Sequence, residues 1–205
     1  MGGIVTRQYT IKKVTGAIDW TQIPALDVDN YLWCEPLDIK MKSQICYSEE
    51  GLHVHLRAWE KDIRAELTAP MSMVCEDSCM EFFFRPMEGD LRYFNIEINP
   101  NGQMYIGFGH NMGDLIRLVL QDEQGMLQKK CSYTEDGWEV FYTFPVEVIR
   151  VFFPGYELKS GMKIYANSYK CGDETVKPHF IAWNPVNVAS PSFHEPEHFG
   201  LMILE

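Results

Sequence analysis

The chain has 205 residues, 46% apolar and 23% charged, which excludes a disordered polymer and suits one folded unit spanning residues 1–205. Its 29 acidic and 18 basic side chains leave a net charge of −11, a field that repels phosphate backbones and anionic lipid, so neither nucleic acid nor membrane is expected as a partner. No apolar run approaches the roughly 20 residues of a membrane-spanning helix, and the chain reads as soluble.

Residues 1–13 carry no hydrophobic stretch of signal-peptide type, so a cytoplasmic location is expected, or an extracellular one if a leader was removed. Met1-Gly2 with Thr6 matches an N-terminal acylation pattern at three positions, a match that arises often by chance. The predicted elements begin with a short helix near 18–26. From about residue 37 onward a period of two dominates. Leu52, Val54, Leu56 and Ala58 form one apolar face of a strand, Met80, Phe82 and Phe84 another, Phe94, Ile96 and Ile98 a third, and Met104, Ile106 and Phe108 a fourth. A short helix near 112–118 follows, then a strand at 138–144, a helix near 145–151, and strands at 162–169, 179–183 and 199–204. Turn chemistry separates these runs at Glu50-Gly51, Glu88-Gly89-Asp90, Pro100-Asn101-Gly102 and Asp136-Gly137. Short one-faced strands joined by hairpin signals predict an all-β, antiparallel two-sheet β-sandwich of immunoglobulin-like or jelly-roll-like kind.

The polar faces carry the functional signal. Pairing strands 79–85, 93–99 and 104–109 as hairpins places Glu81 beside Glu97, and Tyr105 opposite Glu97, on the face away from the apolar core. Asn95, Asn99 and Arg85 share that parity, and Gly107 and Gly109 are expected to leave it open as a shallow trough. Carboxylates, amides and rings in a trough suit a neutral polyol, whose hydroxyls take hydrogen bonds and whose C–H face lies on a ring. The same residues also suit an ordinary solvated sheet face. Two facing glutamates cost stability unless a cation, Arg85 or a shared proton relieves them. They also allow the alternative of a small glycoside hydrolase working through the Glu81/Glu97 pair. Trp59 and Trp183 sit at strand ends as candidate ligand platforms, and Trp138 reads as core. Trp20 and Trp33 lie in the irregular first third, where no face can be assigned.

Other chemistry is weakly signalled. The six cysteines are scattered and read as reduced thiols, and no Cys-x-x-Cys pair points to structural zinc. His53 and His55 lack a third ligand, and Pro196 puts His194 and His198 on a loop. Asp27, Asp29 and Asn30 resemble the start of a calcium loop but lack its turn glycine and final glutamate, leaving an irregular calcium site at Asp27 and Asp29 open. Gly107-Phe108-Gly109 lacks the third glycine of a dinucleotide cradle, and no haem-attachment motif accompanies the 11 Met and 6 His.

Three ordered segments carry a resemblance: Gly51-Leu52-His53-Val54-His55-Leu56, Glu76-Asp77-Ser78-Cys79-Met80-Glu81-Phe82-Phe83, and Tyr93-Phe94-Asn95-Ile96-Glu97. With Ile181-Ala182-Trp183-Asn184-Pro185 and Phe193-His194-Glu195-Pro196-Glu197-His198-Phe199-Gly200, they resemble carbohydrate-binding module family 9 over about residues 40–204. The resemblance implies a β-sandwich that binds sugars without catalysis, serves glycan breakdown and commonly carries structural calcium. It maps the family's strand glutamate to Glu81 and a polar position on the next strand to Asn95. It also implies two sugar-sandwiching tryptophans, at positions where this chain has Cys75 and Phe193. The expected ligand site is therefore Glu81, Asn95, Glu97, Tyr105, Trp183 and Phe193, with Arg85 and Trp59 as further members, and the expected partner is a carbohydrate.

Overall fold

The computed structural model describes residues 6–205; the first five residues of the acylation pattern, Met1 to Val5, lie outside them. Among the described residues, fourteen strands form a curled sheet whose two halves fold over a shared core. One half contains β4 (Lys40–Tyr47), β5 (Gly51–Trp59), β10 (Lys130–Thr134) and β11 (Gly137–Pro145), in the order β10-β11-β5-β4, with β2 (Ala25–Val28) on β4. The other runs β14-β12-β6-β7-β8-β9, from β6 (Cys79–Arg85), β7 (Tyr93–Ile98), β8 (Met104–Gly109), β9 (Ile116–Arg117), β12 (Lys163–Gly172) and β14 (Gly200–Leu204). β13 (His179–Ala182) pairs with β12 and carries β3 (Asn30–Tyr31).

β1 (Gln8–Lys13) joins the halves. Its first part pairs with β14 and its last two residues with β4, both in parallel. The expectation of a purely antiparallel fold is corrected here to a mixed one. A strand that crosses from one layer to the other enters each with its own direction, and nothing in a period-two pattern encodes that.

The alternation read from the sequence reappears as packing. Phe84 meets Phe144 across the layers at 5.3 Å between ring centroids, Phe94 meets Phe144 at 5.0 Å, and Ser43 and Ser168 share a 2.6 Å hydrogen bond between the halves. The helix predicted at 145–151 is present as α2 (Val146–Phe152), preceded along the chain by α1 (Glu123–Leu127), which lacks a clear sequence signal. The helices expected at 18–26 and 112–118 are absent. At the first, Asp19 caps a single turn at Trp20–Gln22, and alternating Leu26 and Val28 then draw the chain into β2. At the second, Asp114 Oδ1 accepts from the amides of His110 and Asn111, both at 2.8 Å, making a tight turn before β9. Among the described residues, no helix is long and apolar enough to cross a membrane.

Candidate functional site

The register puts Glu81 directly opposite Glu97, and Glu97 opposite Tyr105, as the hairpin argument requires. The surface they occupy is not a solvated trough. Phe83, Tyr93, Tyr169, Val74, Val186, Phe193 and Phe199 form a second apolar cluster on this outer face, separate from the main core. The chain between β13 and β14 packs on the sheet there. Arg85 helps hold it by donating to the Pro196 carbonyl at 3.1 Å and stacking on Tyr165 at 4.9 Å. A second segment is fastened by Asp77, fully buried, which accepts from the Leu67 amide and Asn99 Nδ2, each at 2.9 Å, and pairs with Arg64.

Between these segments and the sheet lies a pocket of about 380 Å³. Glu81, Glu97, Cys171 and Asp173 bring acid and thiol groups to it, and Trp33, Phe193, Phe180 and Tyr105 bring rings. Phe193 stacks on Tyr169 at 4.1 Å with 10° between planes, and Trp33 lies 6.0 Å from Phe193. The Trp33 indole donates to the Val188 carbonyl at 2.8 Å, which fixes its ring, and Arg117 covers one face of Tyr105 at 4.2 Å. His194 also lines the pocket, bonded through Nδ1 to the Tyr93 hydroxyl at 2.7 Å, and burial lowers its pKa to about 4, so it is neutral.

The electrostatics of the two glutamates follow from burial, which outweighs the Arg117 charge near Glu97 and the Lys170 charge near Glu81. Among the pocket-lining residues there is no Lys or Arg. Removal from water raises Glu97 to about 7, and it lifts Glu81 well above the ordinary carboxylate range, with the neighbouring Glu97 charge adding to the effect. The Cys171 thiol donates to Glu81 Oε1 at 2.9 Å, and Asn95 Nδ2 donates to Glu97 Oε1 at 2.8 Å.

Several sequence expectations are corrected. Asn95 is fully buried, is not among the pocket-lining residues, and donates to Glu97. Gly107 does not open a trough: a Cβ there would stand 2.1 Å from Asn95 Oδ1, so the glycine makes room for the Asn95 amide. The space above Gly109 is filled in the same way by Asp114 and Leu115. Trp183 is core, 4% exposed, with its ring so close to Gly200 that a Cβ there would lie 2.4 Å away. Arg85 anchors the covering segment and does not line the pocket. Trp59 belongs to β5 in the other half, on a separate cleft of about 800 Å³, with Arg57 over its ring at 5.0 Å.

Asp27 and Asp29 do not fit a calcium ion. Asp29 pairs with Arg7 at 2.6 Å and Asp27 with Lys42 at 3.2 Å, so each carboxylate already faces a cation. His53 and His55 each use both ring nitrogens on side chains of the same layer. Among the pocket residues that the sequence did not assign to the site are Trp33, Phe180, Cys171, Asp173 and His194. Cys171 and Asp173 lie just past the predicted end of the 162–169 strand, which continues to Gly172.

A model of carbohydrate-binding family 9 matches residues 12–204, nearly the whole chain. The chain belongs to carbohydrate-binding family 9. Membership in this family carries non-catalytic carbohydrate binding with it. A candidate carbohydrate-binding protein from Bacteroides uniformis is similar in structure, with a TM-score of 0.83 and 27% identity over 98% of this chain and 100% of that one. A family 9 module from Caldicellulosiruptor kristjanssonii, solved with glucose, has a TM-score of 0.70 and 10% identity over 97% of this chain and 96% of that one. The same organism's module with cellotriose gives 0.68 and 11% over 97% and 94%. Comparison with curated proteins returned no match. Both positions where family 9 tryptophans were expected, Cys75 and Phe193, line the pocket, and Trp33 supplies an indole beside them.

Proposed function

We propose that this member of family 9 binds a neutral sugar residue in the pocket bounded by Trp33, Phe193, Tyr105, Glu81 and Glu97, and that it is a binder rather than a glycoside hydrolase. The observation carrying the assignment is the convergence of rings and buried carboxyls at one opening, on the side of the sheet away from the core. In this reading Glu81 and Glu97 take hydroxyl hydrogen bonds, Phe193 and Trp33 meet the C–H face of the ring, and Asn95 keeps Glu97 in place. A wall with acids and no basic residue favours neutral glycans over uronic acids, whose carboxylates would enter beside Glu81, Glu97 and Asp173. Glucose and cellotriose, held by the Caldicellulosiruptor modules, are the first ligands to try.

Calorimetric titration with these sugars tests the reading. Loss of a stacking surface in Phe193→Ala or Trp33→Ala is expected to remove about 1–2 kcal/mol, a 5–30-fold weakening. Glu97→Gln separates binder from hydrolase: it changes affinity in a binder and abolishes turnover in an enzyme. Wild-type affinity retained in both ring variants would place the sugar elsewhere.

A further inference from the structure

We infer that Cys79, Glu81 and Cys171 form a binding site for a thiophilic divalent cation of the zinc type. β6 and β12 run antiparallel with Cys79 directly opposite Cys171, and Glu81 follows two residues along β6 on the same face. One donor atom from each of the three lies within 4.8 Å of the other two, and all three residues are buried. The Cys171 sulfur is already 2.9 Å from Glu81 Oε1. A tetrahedral zinc, with bonds of about 2.3 Å to sulfur and about 2.1 Å to oxygen, spaces its donors roughly 3.5–3.8 Å apart, so rotamer adjustments of about an ångström suffice.

Access and charge agree with the geometry. Glu81 and Cys171 both line the pocket, which gives a cation a route in, and no Lys or Arg is among its described lining residues. The nearby Lys170 ammonium is held by the Cys171 carbonyl and His179 Nε2, each at 2.8 Å, and by Glu60 at 3.2 Å, and bonds to none of the three donor atoms. Two thiolates and one carboxylate would outweigh the ion's two positive charges by one, the two thiols and the Glu81 carboxyl each releasing a proton to solvent as the metal–ligand bonds form. Two sulfur donors select zinc, cadmium or cobalt over calcium, which takes six to eight oxygens. Three protein donors leave a fourth position, open to solvent in the pocket. The spacing of the cysteines in the chain gives no hint of this, because the fold brings Cys171 to Cys79 from 92 positions away.

The test is a Co²⁺ titration of reduced, chelator-stripped full chain with no sugar present, so it stands or falls independently of the sugar assignment. One equivalent should bind, with a near-ultraviolet thiolate-to-cobalt charge-transfer band and the intense visible bands of tetrahedral cobalt, both displaced by Zn²⁺. Cys171→Ser and Cys79→Ser should each reduce the charge-transfer band and weaken binding more than about 100-fold, beyond the 10–100-fold that loss of an outer partner brings, and the double variant should abolish the band. Glu81→Gln, which keeps both thiols, should weaken binding while preserving the band, and supplies a readout if a serine variant fails to fold. Cys34→Ser and Cys131→Ser, at half-buried cysteines outside the cluster, should leave the titration unchanged. Absence of a charge-transfer band in the wild type would overturn the proposal, as would a band that survives both serine substitutions in folded protein. A Cys79–Cys171 disulfide persisting under reducing conditions would overturn it as well.

Discussion

Glu97 is predicted to destabilise the folded protein at neutral and alkaline pH, and removing its charge should raise stability. It is 7% exposed, stands opposite Glu81 in the ladder, and has no lysine or arginine on its pocket wall. Burial raises its pKa from 4.5 to about 7. Between those values the folded chain holds a proton that the unfolded chain has released, so stability falls as pH rises from 4.5 to 7 and stays reduced above. At about 1.4 kcal/mol per pKa unit, the shift is worth about 3 kcal/mol at pH 8 and close to nothing below pH 4.5. Gln at position 97 keeps the acceptor that Asn95 Nδ2 uses at 2.8 Å and carries no charge to bury. Urea denaturation in chelator should therefore show Glu97→Gln about 3 kcal/mol more stable than wild type at pH 8, or about 6–12 °C higher in melting temperature, with the two nearly equal at pH 4.5. A variant with the same offset at both pH values, or one less stable at pH 8, would refute the reasoning, because the carboxylate would then have to be ionised and compensated in the folded state.

Three further outcomes are expected. Gly107→Ala drives a methyl to within 2.1 Å of Asn95 Oδ1, so it should lower stability by about 1–3 kcal/mol and, by displacing Glu97's partner, weaken sugar binding; chemical denaturation beside calorimetry checks both. Lys170→Met leaves Glu60, 3% exposed, without the ammonium it faces at 3.2 Å, and should cost about 3–5 kcal/mol, with part recovered in the Lys170→Met/Glu60→Gln double variant. For His194, whose pKa burial lowers to about 4, the unfolded chain takes the proton first. Its contribution is complete above about pH 6.5 and lost as pH falls toward 4, and the acid limb of the stability curve should flatten in His194→Gln.

The hairpin from Cys79 to Ile98 was legible to single-residue register, because side chains alternate strictly and the turns announce themselves; Glu81 beside Glu97 follows from counting. What the polar face becomes was not legible. Phe83 and Tyr93 share parity with the glutamates, yet only the fold shows that the 184–199 chain covers them and turns a sheet surface into a walled pocket. Gly107 illustrates the difference. From sequence a glycine on a strand reads as open space, whereas here the Asn95 amide fills that space. Trp33 was invisible for another reason: it sits at φ 54° in irregular chain, where no periodicity assigns a face, and β3 beside it is only two residues long. Trp183, read as a platform because it ends a strand, is drawn into the core by its close approach to Gly200. Parallel pairing of β1 with both layers is likewise a long-range fact with no local signature.

A crystal structure of the protein soaked with cellotriose tests the central claim most directly. A sugar ring is expected in the pocket, against Trp33 and Phe193 with hydroxyls on Glu81 and Glu97, and no sugar in the larger cleft beside Trp59. Sugar density confined to the Trp59 cleft, with the Glu81 pocket unchanged, would contradict it.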